Sequence, residues 1–416
     1  MDKRTFLRTL GGAAAGAVFG ERLWRQCAAR EPLLLAQDEA FWADVRARYA
    51  LPAAWIDLEN GYYSRQSRPV LDAFVGHVRA VNEEGAHYMR TRQDGDRMAA
   101  RTALAALAGC PVDEVVVTRN TTEALDTVIA GQPWQRGDEA VMAAQDYGAM
   151  LDMFELQARR HGIANKVVSL PLDPASDDEI VALYRAAIGA RTRLLMVCHV
   201  VNITGQILPV RKIADMAHER GVQVMIDGAH ALAQLDFAVP DLGGDYYAAS
   251  LHKWLGCPLG AGLLWVKKAR IAGLWPLFAS GLADDDIEKL NHRGTHPVHT
   301  DLALHDAIAF HQGLGAARKE ARLRHLQRYW TQRVRGQPRI ELFTPGDPAR
   351  ACAIATVGIR GTKPADLAAA LFDRHKVYTV AIDHAGVHGV RVTPHVFTTT
   401  AELDVLVGAL QQLAAG

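Results

Sequence analysis

One lysine stands among groups that can hold an anion. In the stretch ASLHKWLGCPLGAGLLWVK, residues 249–267, Lys253 follows Ser250 and His252 and precedes a turn containing Gly256, Pro258, Gly260 and Gly262. An apolar run, 263–266, comes directly after it. A lysine amine that is held neutral attacks carbonyls and condenses with them to a Schiff base. The hydroxyl, the imidazole and a backbone thinned by glycine are suited to holding a phosphate beside that amine. The first candidate chemistry is therefore carbonyl capture by Lys253 next to an anion-binding loop.

Four other loops extend this set. RNTTEAL, 119–125, turns straight from an apolar run into a helical pattern. Thr121 and Thr122 thus present hydroxyls and N–H groups at a helix N-terminus, a natural phosphate site. Taken alone, the same pattern is also a good helix cap. QDYGAM, 145–150, puts the ring of Tyr147 at a strand end, where a single aromatic can also be packing. HVVNITGQILPV, 199–210, carries the uncharged hydrogen-bonding groups Asn202 and Gln206. DGAHALAQLDF, 227–237, opens on Asp227 at the end of an apolar run, with His230 three residues on. A carboxylate in that position needs a partner, because a lone buried charge is costly. Together these loops supply a phosphate cradle, a ring to stack on, an amide pair, an acid and a lysine. Pyridoxal phosphate asks for that lysine and for an acid beside its pyridinium nitrogen. The combination predicts that Lys253 holds the cofactor aldehyde while Ser250 and His252 help hold its phosphate.

The elements that must position these residues alternate along the chain. Apolar runs at 115–118, 140–144, 167–170, 194–198, 222–226, 246–249 and 262–266 read as strands buried on both faces. Helical periodicity lies between them, as at 96–108, 122–129 and 210–220. The pattern predicts an α/β fold with a seven-stranded, mostly parallel sheet between helices, spanning residues 37–295. Ligands of such sheets sit at the carboxyl ends of the strands. Residues 296–416 read as a small α+β domain: a long helix at 316–334, strand-like runs at 351–359, 377–382 and 390–393, and a closing helix at 401–414.

Composition narrows the functional classes. The 416 residues, 49% hydrophobic, can bury one large core and a second, smaller one. Forty-six basic residues balance 46 acidic ones, which leaves no basic field for nucleic acid or an anionic membrane. No apolar stretch is long enough to span a bilayer. Cys27, Cys110, Cys198, Cys257 and Cys352 are scattered without metal-ligand spacing, so no metal and no disulfide framework is expected. Cys257 alone lies near the Lys253 loop. The N-terminus, MDKRTFLRTLGGAAAGAVFG, is basic and then weakly apolar. KRTFLR resembles the twin-arginine export motif, with Lys3 where its first arginine stands. Residues 1–36 are accordingly expected to act as a leader, cut near Ala36, that sends a folded protein to the periplasm. The alternative is an amphipathic helix kept on a cytoplasmic protein.

The motifs NTTEAL, DYG, VNITGQILPV, DGAHA, SLHKWLG and RGTHPV occur in one order over some 180 residues. Residues 52–412 thereby resemble the class V aminotransferase family of fold-type I pyridoxal-phosphate enzymes, in its isopenicillin N epimerase-like branch. The resemblance implies that Thr121 and Thr122 bind phosphate, that Tyr147 stacks on the cofactor ring and that Asp227 pairs with its nitrogen. It places His230 and Gln206 near the ring oxygen, adds Asn202 to the cofactor-binding set, and makes Lys253 the cofactor lysine. Thr295 matches the residue that reaches the neighbouring subunit's phosphate, which implies a homodimer with shared sites. Arg391, in VRVTPH, matches the arginine that grips the substrate carboxylate through its donor fork. Asn60 is a second candidate for the substrate site.

The sequence departs from the family's cysteine desulfurases. These carry a nucleophilic cysteine just before that arginine, whereas AIDHAGVHGVR, 381–391, has His384 and His388 and no cysteine. Cys352 is too far upstream to replace it. The expected reaction is transamination or epimerisation at the Cα of an amino acid. The alternative is a lyase that eliminates a β or γ group, with His384 or His388 as leaving-group acid. A catalytically silent cofactor-binding protein would need a lost lysine or acid, and both are present.

Overall fold

Strands form where the apolar runs stand, and their order sets the site. A computed structural model describes residues 18–291 and 294–416; the export-like stretch 3–8 and Arg293 of RGTHPV lie outside the described residues. In chain order the strands are β1 (Ile56–Asp57), β2 (Val115–Thr118), β3 (Glu139–Ala143), β4 (Ala164–Val168), β5 (Thr192–Cys198), β6 (Gln223–Asp227), β7 (Tyr246–Ser250) and β8 (Gly262–Val266). They continue with β9 (Ile340–Leu342), β10 (Ala355–Ile359), β11 (Val377–Tyr378), β12 (Val380–His384) and β13 (Val387–Val392).

The large sheet has seven strands in the order β2-β8-β7-β6-β5-β3-β4. β8 runs antiparallel to β2 and β7, and the remaining pairs are parallel. Each expected strand forms within a few residues of its apolar run. The expectation of burial on both faces fails at β4, where Val167 is 57% exposed. β4 is an edge strand with β3 as its only neighbour among the described residues, and its outer part is exposed. Alternation divides the inner strands between two cores: Leu195 and Val197 of β5 enter one, Leu194 and Met196 the other. The first core takes Leu104 of the helix Gln93–Ala108 and Ile213 of the helix Val210–His218. The second takes Leu125 and Val128 of the helix Thr121–Gly131, and Phe154 of the helix Gly148–His161. Helices therefore cover both faces, as an all-apolar central strand requires.

A second, antiparallel sheet has the order β12-β13-β10-β9, and β1 pairs with β11 in parallel. Its core joins Trp330, Val357, Leu371, Val390 and Leu406 with Leu58. Packing crosses chain order here. Leu304, Ala307 and Ile308 of the helix Val298–Leu314 pack in the large core, while Leu58, from the N-terminal part, packs in the small one. The run expected as one strand at 377–382 breaks between β11 and β12, since β11 turns to a different partner. No helix among the described residues is long and apolar enough to cross a membrane, and no cluster of metal-ligating side chains is found among them.

Residues 18–36, which the sequence reading excludes from the fold, are packed into it. Phe19, Leu23, Cys27 and Leu35 are buried in the large core. The Phe19 ring meets Phe310 edge-on at 5.2 Å, and the Cys27 thiol faces the Gly313 carbonyl at 3.6 Å. Buried Arg322 donates to the carbonyls of Ala36 (2.9 Å) and Thr398 (3.0 Å) and pairs with Glu39. Burying an apolar side chain of this size contributes ~1.5–3 kcal/mol. A chain starting at Gln37 should accordingly lose roughly 6 kcal/mol or more against the full chain. Urea unfolding of both measures this, and equal midpoints and slopes would show that the segment contributes nothing.

Candidate active site

Two close backbone approaches shape the rim where β5, β6 and β7 end. Gly228 follows Asp227, and a Cβ there would lie 2.0 Å from the Tyr247 ring, so the turn after β6 admits no side chain. A Cβ on Gly262 would lie 2.8 Å from the Asn120 backbone, which lets β8 pass against the loop that enters the helix Thr121–Gly131. Asn120 caps that helix by accepting the Glu123 N–H at 2.8 Å. The Thr121 N–H donates to Ser250 Oγ at 2.9 Å, and the two hydroxyls lie 2.7 Å apart. The helix N-terminus and the end of β7 are thereby tied together, with Thr122 half-buried beside them.

Lys253, Asp227 and His230 meet as expected. Lys253 Nζ lies 3.1 Å from His230 Nε2. Trp254 points its indole N–H at His230 Nδ1 at 3.4 Å, an arrangement in which a proton on Nε2 faces Lys253 once its amine is neutral. Burial, with the positive charges of Lys253 and Arg391 adding to it, holds His230 well below its ordinary pKa and so neutral. Burial also pushes the Lys253 amine down to about 8, against the pull of Asp227. Arg391 pushes the same way as burial, and Glu59 opposes it. The Asp227 carboxyl is raised by burial, an effect reduced by the Ala229 N–H at 2.9 Å and by Lys253. Its other oxygen meets the Cys198 thiol at 4.0 Å.

The remaining candidates divide. Arg391, on β13, reaches the site and donates to the Asn202 carbonyl at 3.3 Å. Asn60 is fully buried and donates its amide to the Thr393 carbonyl at 2.8 Å, which fixes the loop after β1 against the end of β13. Tyr147 caps the helix Gly148–His161 beyond β3, with its ring 43% exposed. Thr295 is exposed next to the undescribed residues 292–293. Gln206 is buried, and its amide donates to the Pro171 carbonyl at 3.1 Å. The left-handed turn at Gly205 and the backbone bridge from Gln206 to Ala351 hold it there. His384 and His388 lie exposed on the hairpin of β12 and β13, where His388 pairs with Asp383 at 2.6 Å.

The donor set fits pyridoxal phosphate. His252 Nδ1 and Asn202 Oδ1 are buried with no hydrogen-bond partner among the described residues. The weakly partnered oxygen of Asp227 can accept from a ring N–H, and the partly neutral Lys253 can bond an aldehyde. All five cysteines are free. Burial raises the thiols of Cys27, Cys198 and Cys257, and those of Cys110 and Cys352 to about 12, so Cys257 is no poised nucleophile. Three residues at the site were missed in the sequence. Trp254 orients His230, and its place next to Lys253 was the available signal. Asp146 is buried behind Asp227, accepts the Ala143 N–H at 2.8 Å, and is raised by burial to about 7. It stands within the DYG motif, which had pointed only to Tyr147. Glu59, beside Asn60, had no signal in pattern or spacing, because its partner Arg391 is more than 300 residues away.

Comparison with known proteins agrees with this architecture. The family profile described as Aminotransferase class-V matches residues 64–405. An isopenicillin N epimerase of Amycolatopsis lactamdurans is 32% identical over 394 residues, covering 90% of this chain and 98% of its own. A probable cysteine desulfurase of Mycolicibacterium paratuberculosis is 27% identical over 88% of this chain and 56% of its own length. Among solved structures, a C-DES mutant with glycine covalently linked to its PLP cofactor superposes with a TM-score of 0.80 at 20% identity, over 88% of this chain and 98% of the other. With a family match over most of its length and this seven-stranded sheet, the chain belongs to the class V aminotransferase family.

Proposed function

We propose that this protein is a pyridoxal-phosphate-dependent enzyme acting at the Cα of an amino acid, by transamination or epimerisation. The observation that carries the reading is the buried contact of Lys253 with His230, beside Asp227 and next to the Thr121–Ser250 pair. The epimerase relative and the cofactor-linked neighbour support it. Bound here, pyridoxal phosphate supplies an electron sink for charge released at Cα. Thr121, Thr122, Ser250 and His252 hold the phosphate, and Tyr147 covers the ring. Asp227 keeps a proton on the ring nitrogen, since a buried carboxylate is stabilised by an adjacent cation. Lys253 would hold the cofactor through its aldehyde and would move the proton at Cα, a task that an amine near 8 suits. Neutral His230 orients the lysine and donates toward the ring oxygen. Arg391 and Asn60 face the substrate. Thr295, with exposed Leu259, Trp275 and Leu277, supports a homodimer with shared sites, which sedimentation equilibrium would reveal as twice the chain mass.

Covalent capture of pyridoxal phosphate by the unloaded chain, followed by absorbance, should accelerate as pH rises through about 8. Below that value Lys253 is protonated and has no lone pair to attack with; above it the free amine dominates. Lys253→Ala should show no capture at any pH while keeping the native circular dichroism, and capture by that variant would remove Lys253 from the role.

Incubation of the loaded enzyme with an amino acid panel in deuterated water, without a keto acid, separates the reactions. Deuterium at Cα with loss of chirality is expected for epimerisation, and conversion of the cofactor to its amine form for transamination. Release of pyruvate with ammonia or a sulfur species would make the enzyme an eliminating lyase and overturn both.

We also propose twin-arginine export to the periplasm, with any cleavage falling before Phe19, because Phe19, Leu23, Cys27 and Leu35 belong to the core. Residues 1–36 fused to a folded reporter should carry it to the periplasm, and replacement of Arg4 should stop it. A reporter retained in the cytoplasm in both forms would refute export.

A further inference from the structure

One bidentate edge of the Arg391 guanidinium is already taken by the chain's own carboxylate, and three of its five N–H donors are engaged. Nη2 donates to Glu59 Oε1 at 2.5 Å and Nε to Oε2 at 3.3 Å, while Nη1 donates to the Asn202 carbonyl at 3.3 Å. The two side chains are 9% and 6% exposed, so this is a buried pair. Its geometry is built in from several sides. Glu59 Oε1 accepts the Tyr62 N–H at 2.9 Å, Glu59 bridges to Thr393, and the Asn60 amide holds the same loop on Thr393. Gly61 lets the loop press close, since a Cβ there would come within 3.0 Å of the guanidinium carbon. The Nε–Nη2 edge of Arg391 is therefore occupied by the chain's own carboxylate, and the Nη1–Nη2 edge is shared with the Asn202 carbonyl.

We propose that Glu59 is a specificity-determining residue that screens Arg391 from the substrate and sets how strongly the site favours an α-carboxylate. The proposal rests on the functional reading above and deepens it. With the pair closed, the fork is electrically neutral, and a second carboxylate entering it meets a buried like charge. A substrate carboxylate takes the Nε–Nη2 edge only when Glu59 swings away and loses its partner at a buried position, and at the other edge it meets a guanidinium whose charge Glu59 already neutralises. An amine whose reacting carbon bears no carboxylate leaves the pair intact. The pair thus weakens α-amino acids against carboxylate-free amines of the same shape. Glu59 touches Arg391 and not the reacting atoms, so its effect is on substrate choice.

L-norleucine and pentylamine differ only in the carboxylate, and the shift of the cofactor band on the loaded enzyme reads the binding of each. In the wild type, norleucine should bind no more than about tenfold tighter than pentylamine. Glu59→Gln keeps an acceptor for the Tyr62 N–H and removes the charge. It should tighten norleucine by at least about tenfold and leave pentylamine unchanged. Equal changes for both ligands, or no change for either, would overturn the proposal, since a merely structural role moves both together. If the variant does not fold, a wild-type preference for norleucine well beyond tenfold would overturn it instead. If the chain takes up no pyridoxal phosphate, the functional reading falls, and calorimetric titration of the unloaded chain with pentanoate still tests the pair. Tenfold tighter binding by Glu59→Gln would uphold the screening role, and equal binding would refute it.

Discussion

The site depends on one constraint: Asp227 ends a fully buried strand, and its carboxylate has to be compensated there. β6 lies at the middle of the sheet with β5 and β7 on either side, so water cannot reach the end of the strand easily. The Ala229 N–H and the charge on Lys253 offset part of the cost, and the Cys198 thiol offers little. A cationic ring N–H delivered to the free oxygen would complete the compensation. The same burial depresses Lys253 and keeps His230 neutral, so one desolvated pocket prepares the acid, the amine and the imidazole at once. Their order in space follows from parallel pairing, which aligns the ends of β5, β6 and β7 on one edge.

The other half of the site is delivered by the small sheet through a crossing of the chain. β1 pairs with β11, and Leu58 is buried in the core of the small sheet, so the loop 59–61 arrives with β13 and Arg391. The Ser64 N–H meanwhile donates to the His252 carbonyl at 3.0 Å, which ties the same segment to the Lys253 loop. One short stretch of chain thus links the substrate end of the site to the lysine end. A shift of the small sheet would pull on both, which makes the segment 58–64 a physical coupling between arginine and lysine.

Much of this was legible in the sequence, and the limits were physical ones. Buried strands are read easily, because a run such as LLMV has no polar residue to break it and both faces are covered. Asp227 and Thr121 stand out because one ends a strand and the other opens a helix, and Lys253 because it lies in the turn just after β7, positions where polar groups contrast with an apolar context. Short strands escaped: β1 and β9 have too few residues to show any period. The direction of Gln206 was not legible, because it depends on the turn at Gly205 and a bridge to Ala351, contacts that no local pattern encodes. Residues 18–36 look like a leader by composition. That they are core follows only from surfaces such as Phe310 and Arg322, far along the chain.

Glu59 is the clearest case of meaning carried by contact alone. In the sequence it is one acidic residue beside Asn60; in the fold it rests against Arg391 as one half of a buried pair. A free guanidinium buried at this depth would be strongly destabilising, and an unpaired carboxylate equally so. Their pairing stabilises the unliganded site and at the same time raises the cost of admitting a third charge. Stability and selectivity are therefore opposed at this one contact, and the chain keeps the balance adjustable by placing the acid on a loop and the arginine on a strand. Because the Glu59 backbone is bridged to Thr393, only its side chain can turn aside, and it does so by giving up both Arg391 and the Tyr62 N–H.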